Sequence, residues 1–419
     1  MFRVRDDFRR AQLAIAALFC FLGLQYATWA SRLPAIKAEL GLSEAEVGLL
    51  LMACGAGAAA SFPLVAVLTE RLGSRRLALS SALALGLLLL ALAGAPNYPV
   101  ALVIICCDGV AVGCLNVAMN AQGAALEVRY RRTAMSQLHA TFSAGSLCAA
   151  LLASGMNALT SNLAAHFAVA AGLLLLLLAY ARPALLPADR AAAEPAEAEQ
   201  STRPGRRGWA LPSLVTVWMG TAMAFGTVTE GAMNDWSALY MKDVAHAASE
   251  VAPLGIAVVS VMMVLARVFA DGWRSRWGDG RIVRVGSALA GVGLAVALLV
   301  GGVVPALIGF ACVGLGIAAV TPCVYVAAAR AGSDALALVA AMGTTGLLAG
   351  PAVIGFIASG SSLVWGMGAV AGSAMLVSVC AGRIRWTGPD DAHPPARAEG
   401  AAVEPRPQAT PEVEPLTGG

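Results

Sequence analysis

The stretch GVAVGCLNVAMNAQGAALEVR, residues 109–129, returns in the second half of the chain as FACVGLGIAAVTPCVYVAAAR, residues 310–330. The two segments align without a gap, and each ends in an arginine. Small and polar residues recur at a constant offset of 201 positions: Gly113 and Gly314, Asn120 and Thr321, Arg129 and Arg330, Gly145 and Gly346. We therefore interpret the chain as two copies of one structural unit.

The amino-acid composition is that of a membrane protein. Only 13% of the 419 residues are charged, whereas a soluble domain carries roughly 25% charged residues. Apolar segments long enough to cross a bilayer as helices are predicted at 11–31, 46–68, 77–95, 99–121, 134–157, 162–181, 212–236, 250–271, 284–302, 304–328, 335–358 and 362–381. The predicted fold class is an all-α integral membrane protein with twelve transmembrane helices, numbered here as spans 1 to 12.

Positive charges divide the loops into two sets. If the N-terminus is cytoplasmic, the external loops hold only Arg32, Lys37 and Lys242, and the remaining arginines collect inside. Because this is the positive-inside pattern, we expect a multi-pass protein of the cytoplasmic (inner) membrane with both termini cytoplasmic. The net charge of +3 reflects this topology and gives no signal for nucleic-acid binding.

The spans form two groups of six, which predicts five regions. Residues 1–10 are a cytoplasmic N-terminus, 11–181 an N-terminal six-helix bundle, 182–211 a cytoplasmic linker and 212–381 a C-terminal six-helix bundle. The Pro-rich tail, 382–419, is expected to be disordered. Two parallel repeats related by an axis along the membrane normal are typical of transporters.

The loop after span 2, AVLTERLGSRR at residues 66–76, carries a recognisable motif. Together with the six-plus-six spans and the central linker, it resembles the major facilitator superfamily, whose signature is Gly-x-Leu-x-Asp-Arg-x-Gly-Arg-Arg. Arg71, Gly73, Arg75 and Arg76 fit this signature, whereas Glu70 stands in place of the aspartate. The resemblance implies that these five residues belong to a gating loop.

Other segments resemble one subgroup of that superfamily. ATWASRLPAIKAELGLSEAEVG at 27–48, the MNAQ of span 4 and FSAGSL at 142–147 are most similar to the MosC-like subgroup, which is related to the fucose permease branch. The resemblance implies that spans 1, 4, 7 and 10 line a central cavity.

Span 4 gathers its polar residues on one helical face. At about 100° per residue, Asp108, Asn116, Asn120 and Glu127 project within about 120° of one another. In sugar-symporter relatives the position of Asn116 is a glutamate implicated in proton coupling, and an amide cannot titrate. Because an ionisable residue inside a membrane costs roughly 2.5–3.5 kcal/mol, Asp108 is predicted to supply the coupling acid. The alternative is that these polar groups only tie span 4 to a neighbouring helix.

The predicted substrate-binding residues lie on the four cavity spans: Gln25, Trp29, Asn116, Asn120, Glu230, Asn234, Thr321 and Tyr325. The predicted proton-coupling residues are Asp108, Glu230 and His139. For His139 the alternative is a packing role, and for Asp235, beside Trp236, the alternatives are a site residue and an interfacial residue.

Two arginines are assigned partners from their spacing and position. Arg32, at the outer end of span 1, is predicted either to pair with an acid such as Glu230, to attract an anionic solute group, or to sit at the interface. Arg267 and Asp271, at i and i+4 in span 8, are predicted to neutralise each other.

The sequence contains no P-loop, H-E-x-x-H, G-x-S-x-G or Cys/His zinc pattern. We therefore expect no enzymatic activity, no cofactor and no metal site. The function predicted is secondary active transport of a small polar solute, such as a sugar or polyol, by proton symport and alternating access, with a monomer embedded in membrane lipid. The alternatives are an efflux antiporter for small amphiphiles and a ligand sensor or scaffold that has a transporter fold but moves nothing.

Overall fold

The structure is a computed structural model that describes residues 2–132, 134–187 and 213–386. Within these ranges the chain is helical: α1 (Phe2–Ala30), α2 (Leu33–Leu40), α3 (Glu44–Ala93), α4 (Tyr98–Tyr130), α5 (Met135–Leu159), α6 (Leu163–Ala181), α7 (Leu214–Asp243), α8 (Leu254–Trp277), α9 (Asp279–Val300), α10 (Val303–Ile317), α11 (Val320–Ala331), α12 (Ser333–Gly360) and α13 (Leu363–Ala381). Most of the linker and the tail from 387 onward lie outside the described residues.

The predicted twelve-span fold is confirmed. Helix α3 contains spans 2 and 3, Glu44–Val65 and Val67–Ala93, while α10 and α11 together form span 10, Val303–Ala331. The other long helices form one span each, and α2 is a short helix between spans 1 and 2. We call the face where α1 begins and α13 ends the terminal face, and the face that carries α2 the distal face.

Hydropathy alone identifies ten of the spans. The two others are span 7, which carries Glu230, Asn234 and Asp235, and span 8, whose apolar part, Leu254–Ala270, includes Arg267. These two helices are less apolar because they hold much of the polar site described below.

The sequence repeat reappears in the helix packing. A Cβ atom at Gly145 would lie 2.2 Å from the carbonyl oxygen of Cys20, so span 5 packs backbone to backbone against span 1. At the matching position of the second half, a Cβ at Gly346 would lie 2.2 Å from the carbonyl oxygen of Ala224 and joins span 11 to span 7 in the same way. The repeated glycines are therefore points where equivalent helices approach closely.

The two copies also share a loop conformation and differ in one helix. Gly73 (φ 75°, ψ 160°) and Gly278 (φ 77°, ψ 153°) form the same left-handed turns after spans 2 and 8, a conformation that favours glycine. Span 4 is continuous, whereas span 10 is broken after Ile317. Pro322 explains the break, because its ring clashes with the carbonyl of Ala318 four residues earlier and it has no N–H to donate.

Two polar residues of the MNAQGAALE segment hold the terminal face together. Gln122, only 1% exposed, donates to Ser74 Oγ (2.8 Å) and accepts from the backbone N–H of Leu186 (2.9 Å). Glu127 accepts backbone N–H groups of Ala134 and Met135, the latter at 2.9 Å, and so caps the start of span 5. A carboxylate at a helix N-terminus is favourable because it meets unpaired N–H groups.

Candidate functional site

The two halves touch near the distal face and separate toward the terminal face. A Cβ at Gly48 would lie 2.9 Å from the carbonyl oxygen of Pro351, and one at Gly55 would lie 2.7 Å from Leu348, so this side of span 2 packs on span 11. Phe62 follows Gly55 by seven residues and lies on the same helix side, yet it is 57% exposed. The packing of span 2 on span 11 at Gly48 and Gly55 therefore does not extend to Phe62, and the two spans diverge toward the terminal face.

Polar contacts between the halves close the distal side. Lys37 of α2 binds Asp243 at 2.7 Å and Glu44 at 3.0 Å, and the Asn157 amide donates to the carbonyl oxygen of Ser249 at 2.6 Å. Burial by itself lowers the pKa of Lys37, but the hydrogen bonds to Asp243 and Glu44 outweigh it and raise the pKa above its usual value. Lys37 therefore remains charged and holds the two halves at their distal ends.

An amide pair on span 4 occupies the middle of the bundle. Asn120 Nδ2 donates to the backbone carbonyl of Asn116 at 2.8 Å and to its side-chain Oδ1 at 3.1 Å. Asn116 is exposed and Asn120 is half-buried. Since both residues are accessible, their unused donors and acceptors can form hydrogen bonds with a polar solute.

An ion pair joins three spans at the same depth. Arg267 of span 8 donates to Glu230 of span 7 at 3.1 Å and to the hydroxyl of Ser143 on span 5 at 3.0 Å. The Arg267 and Glu230 side chains are 32% and 29% exposed. Arg267 was predicted to neutralise Asp271, whose side chain lies outside the described residues; the carboxylate it meets here belongs to another span. This pairing leaves Arg267 half-exposed and within reach of a solute.

The predicted coupling acid Asp108 is buried rather than open to the cavity. Its side chain is 2% exposed, and its Oδ1 accepts a hydrogen bond of 2.7 Å from the Gln25 amide. Gln25, predicted to bind substrate, is also fully buried. The structure therefore brings these two predicted residues together, but as partners of each other.

A second buried acid lies next to this pair. The hydroxyl of Tyr26 on span 1 donates to Asp235 Oδ1 on span 7, which is only 3% exposed. This contact joins the two halves, and sequence reasoning missed it. The sequence feature that could have indicated it is the pair Gln25 and Tyr26, two consecutive polar side chains in an apolar stretch of a predicted cavity span.

Two tryptophans flank this contact. The rings of Tyr26 and Trp29 meet edge to face with centroids 5.1 Å apart, and Trp236 follows Asp235 in span 7. Both tryptophans are 0% exposed. Trp29, predicted to bind substrate, is thus closed off from the cavity in this conformation.

The other predicted site residues are more accessible. Asn234 donates to the carbonyl oxygen of Glu230 at 3.2 Å and is half-buried, as is Thr321. Tyr325 is 36% exposed. His139 is exposed, packs on the edge of Phe19 with ring centroids 5.0 Å apart, and precedes Ser143 by one helical turn.

Arg32 does not reach Glu230. It is 2% exposed, and its Nη2 donates to the carbonyl oxygen of Ser161 at 2.8 Å. Glu230 lies on the far side of Tyr26 and Asp235 and is bound to Arg267. Arg32 therefore ties the end of span 1 to the start of span 6.

The predicted gating loop lies on the terminal face. Glu70, Arg71 and Arg76 are exposed, and Gly73 makes the turn between spans 2 and 3. Arg75 donates to the carbonyl oxygen of Arg182 at 2.8 Å and so holds the beginning of the linker.

Comparison with known proteins agrees with this architecture. The sequence model of the Major Facilitator Superfamily matches residues 13–334. An uncharacterized MFS-type transporter of Yersinia pestis is 34% identical over 372 residues, which cover 86% of this chain and 92% of that protein. The membrane protein MosC of Rhizobium meliloti is 30% identical over 357 residues, 84% of each chain. The crystal structure of the nucleoside transporter NupG, 15% identical, has the same fold with a TM-score of 0.67 and covers 89% of this chain and 98% of its own.

Proposed function

The chain belongs to the Major Facilitator Superfamily, and on that premise we propose that it is a proton-coupled secondary transporter of a small polar solute such as a sugar or polyol. The observation that carries this proposal is the contact of the halves at the distal face, where Lys37 binds Asp243, together with the divergence of spans 2 and 11 toward the terminal face. Such an arrangement suits a carrier that alternates access to one site by rocking two repeats.

The proposed solute site combines neutral amides with one ion pair. Asn116 and Asn120 lie on span 4, Glu230 and Asn234 on span 7, and Arg267 on span 8. Amides and an ion pair present both donors and acceptors, which is the chemistry that hydroxyl groups of a sugar or polyol require. Thr321 and Tyr325 of span 10 would contribute from the opposite side of the cavity.

The proposal also covers the orientation of the protein in the membrane and the direction of transport. The positive-inside distribution makes the terminal face cytoplasmic, so the conformation described is open to the cytoplasm, and the gating loop Glu70–Arg76 lies there. With a buried acid at Asp108, uptake by proton symport through a monomer is the favoured mode. Efflux by antiport is the second candidate, and it is favoured by the exposed apolar side chain of Phe62 at the cavity wall.

We expect Asn120→Ala to weaken stabilisation by the solute. A thermal-shift screen of purified protein against sugars, polyols, amino acids and small amphiphiles identifies the solute, because a ligand of the folded state alone raises the melting temperature. Loss of the Asn120 amide removes hydrogen bonds worth about 1 kcal/mol each, so the shift should fall by more than half. Gln137→Ala removes an exposed amide at the start of span 5 and should leave the shift unchanged. An unaltered shift in Asn120→Ala would remove span 4 from the site.

We expect Asp108→Asn to uncouple transport from protons. In proteoliposomes with an imposed pH gradient, the wild type should accumulate the solute found by the screen. The variant should still exchange that solute across the membrane but should not concentrate it, because an amide cannot carry the proton. Asp334→Asn, at the exposed start of span 11, serves as the control. Full accumulation by Asp108→Asn would refute the coupling role, and binding without flux under any gradient would favour a sensor.

A further inference from the structure

Two consecutive residues of span 1 each hold one buried carboxyl group. Gln25 donates to Asp108 of span 4, in the same half, and Tyr26 donates to Asp235 of span 7, in the other half. The two acids are 2% and 3% exposed. Because Gln25 and Tyr26 are neighbours in the chain, the two carboxyl groups belong to one polar cluster at the distal contact between the halves.

This cluster contains no compensating positive charge among the described residues. The hydrogen-bond partners of Asp108 and Asp235 are the neutral side chains of Gln25 and Tyr26. The nearby cations have other partners, since Arg267 binds Glu230 and Ser143. A buried carboxylate without a cationic partner costs several kcal/mol, so such a group tends to bind a proton instead.

Other titratable groups near the cluster do not change this balance. Tyr26 and Cys54 carry no positive charge in either protonation state, so neither can neutralise an ionised Asp235. On the helices packed against span 7, Lys37 is bound at Asp243 and Cys312 faces Gly293 of span 9. Arg32 donates to the carbonyl oxygen of Ser161, and Glu39 lies on α2 at the distal face. Toward the terminal face these helices carry Cys323, Tyr325, Arg330, Asp334 and Cys380, with Arg274 and Arg276 at the end of span 8.

The hydrogen-bond pattern around Asp108 also fits a neutral acid. Asp108 Oδ2 and Gln25 Oε1 are both buried and have no hydrogen-bond partner. Two acceptor atoms cannot form a hydrogen bond with each other, but a proton on Asp108 Oδ2 could be donated to Gln25 Oε1. The acid and the amide would then form a ring of two hydrogen bonds, which removes both unsatisfied atoms.

We propose that Asp235 is a second proton-binding site, and that its burial against Tyr26 of the other half makes protonation stabilise the closed distal contact between the halves. The inference rests on the proposed transport function but concerns a residue of the other half. Tyr26 and Asp235 must part when the distal side opens, because they belong to different halves. Water then reaches the carboxylate, which is stable in its charged form only when it is hydrated.

The direction of coupling follows from this geometry. A proton taken by Asp235 from water on the distal side favours closure, with Tyr26 rebonding to the neutral acid. Asn234 directly precedes Asp235, and Glu230 lies five residues nearer the terminal face on the same span, so the proton can leave to water on that side. Loss of that proton leaves a buried charge and favours reopening of the distal side, which is the return step of a symporter.

Hydrogen exchange tests the inference without any solute. We would measure amide exchange by mass spectrometry in α2 and in segment 244–253 of the full-length protein in lipid nanodiscs at pH 6 and pH 8, corrected for intrinsic rates. In the wild type, exchange of these distal segments should be at least about tenfold faster at pH 8, because one linked proton changes an equilibrium tenfold per pH unit. Asp235→Asn should remain protected at both pH values, whereas Tyr26→Phe removes one hydrogen bond between the halves and should speed exchange at both pH values while keeping the pH response.

A control variant separates a pH effect from a general weakening of the distal contact. Asp243→Asn breaks the Lys37 bridge and should speed exchange equally at both pH values, with the pH response intact. A pH response in Asp235→Asn equal to that of the wild type overturns the proposal, as does a response to sodium at constant pH. If these results hold but proteoliposomes move no solute, the transport function fails while the proton site stands. If flux occurs and Asp235→Asn keeps the pH response, only the proton site fails.

Discussion

Arg267→Ala is expected to lower the initial rate of solute uptake at low solute concentration by about 100-fold. Arg267 makes two charge-assisted hydrogen bonds, to Glu230 and to Ser143, and joins spans 5, 7 and 8 across the two halves. Because the pair is about one-third exposed, we count about 1.5 kcal/mol for each bond, and about 3 kcal/mol corresponds to roughly 100-fold. Uptake into proteoliposomes measures the loss.

Two further arginine variants sharpen this test. Arg267→Lys keeps the charge but lacks the fork that reaches two partners, so uptake should be intermediate. Arg276→Ala removes the same residue type from the terminal end of span 8, where the guanidinium lies 5.9 Å from the Trp277 ring centre, and uptake should stay near the wild-type rate. Equal impairment of the Arg267 and Arg276 variants would show that a general effect on span 8 explains the result.

Gly109→Ala is expected to destabilise the folded protein by about 1–3 kcal/mol, as overpacking does in closely packed interiors. The new Cβ would lie 1.9 Å from the carbonyl oxygen of Cys54, a backbone atom that cannot rotate away. Spans 2 and 4 would have to separate, and Asp108, the preceding residue, would be displaced from Gln25. A lower melting temperature and weaker proton-driven accumulation should therefore appear together.

Gly172→Ala is the matched control for this variant. Gly172 is also within a helix, but no atom lies within 4 Å of a Cβ built there, so alanine should stabilise span 6 by up to about 1 kcal/mol through its better helix propensity. If Gly109→Ala melted at the wild-type temperature, the close approach of spans 2 and 4 would be wrong.

Much of the site could be predicted residue by residue, but its pairings could not. Spacing placed Asn116 and Asn120 on one face of span 4, the family resemblance implied that this span lines a cavity, and the structure leaves both residues accessible. Arg267 was given a partner four residues away because local spacing was the only available guide. Its partner Glu230 is 37 residues away in the chain, and nothing in the sequence of either span specifies that they meet.

Burial was likewise decided by the tertiary structure. Gln25 and Trp29 share a span with accessible positions, and their residue types suit a solute site. They are nevertheless 0% exposed, because the halves meet over them at the distal face in this conformation. A carrier that alternates between two arrangements gives such residues a different environment in each one.

The sequence by itself determined the twelve spans and the two repeated halves. It could do so because a bilayer admits only helices with satisfied backbone groups at this length, and because repetition is visible without coordinates. Only the tertiary structure decided that Asp108 meets Gln25, that Asp235 meets Tyr26 and that Arg267 meets Glu230. Each of these contacts joins different spans through residues at least 37 positions apart. The partner of a buried polar group depends on which groups the packing places within hydrogen-bond distance.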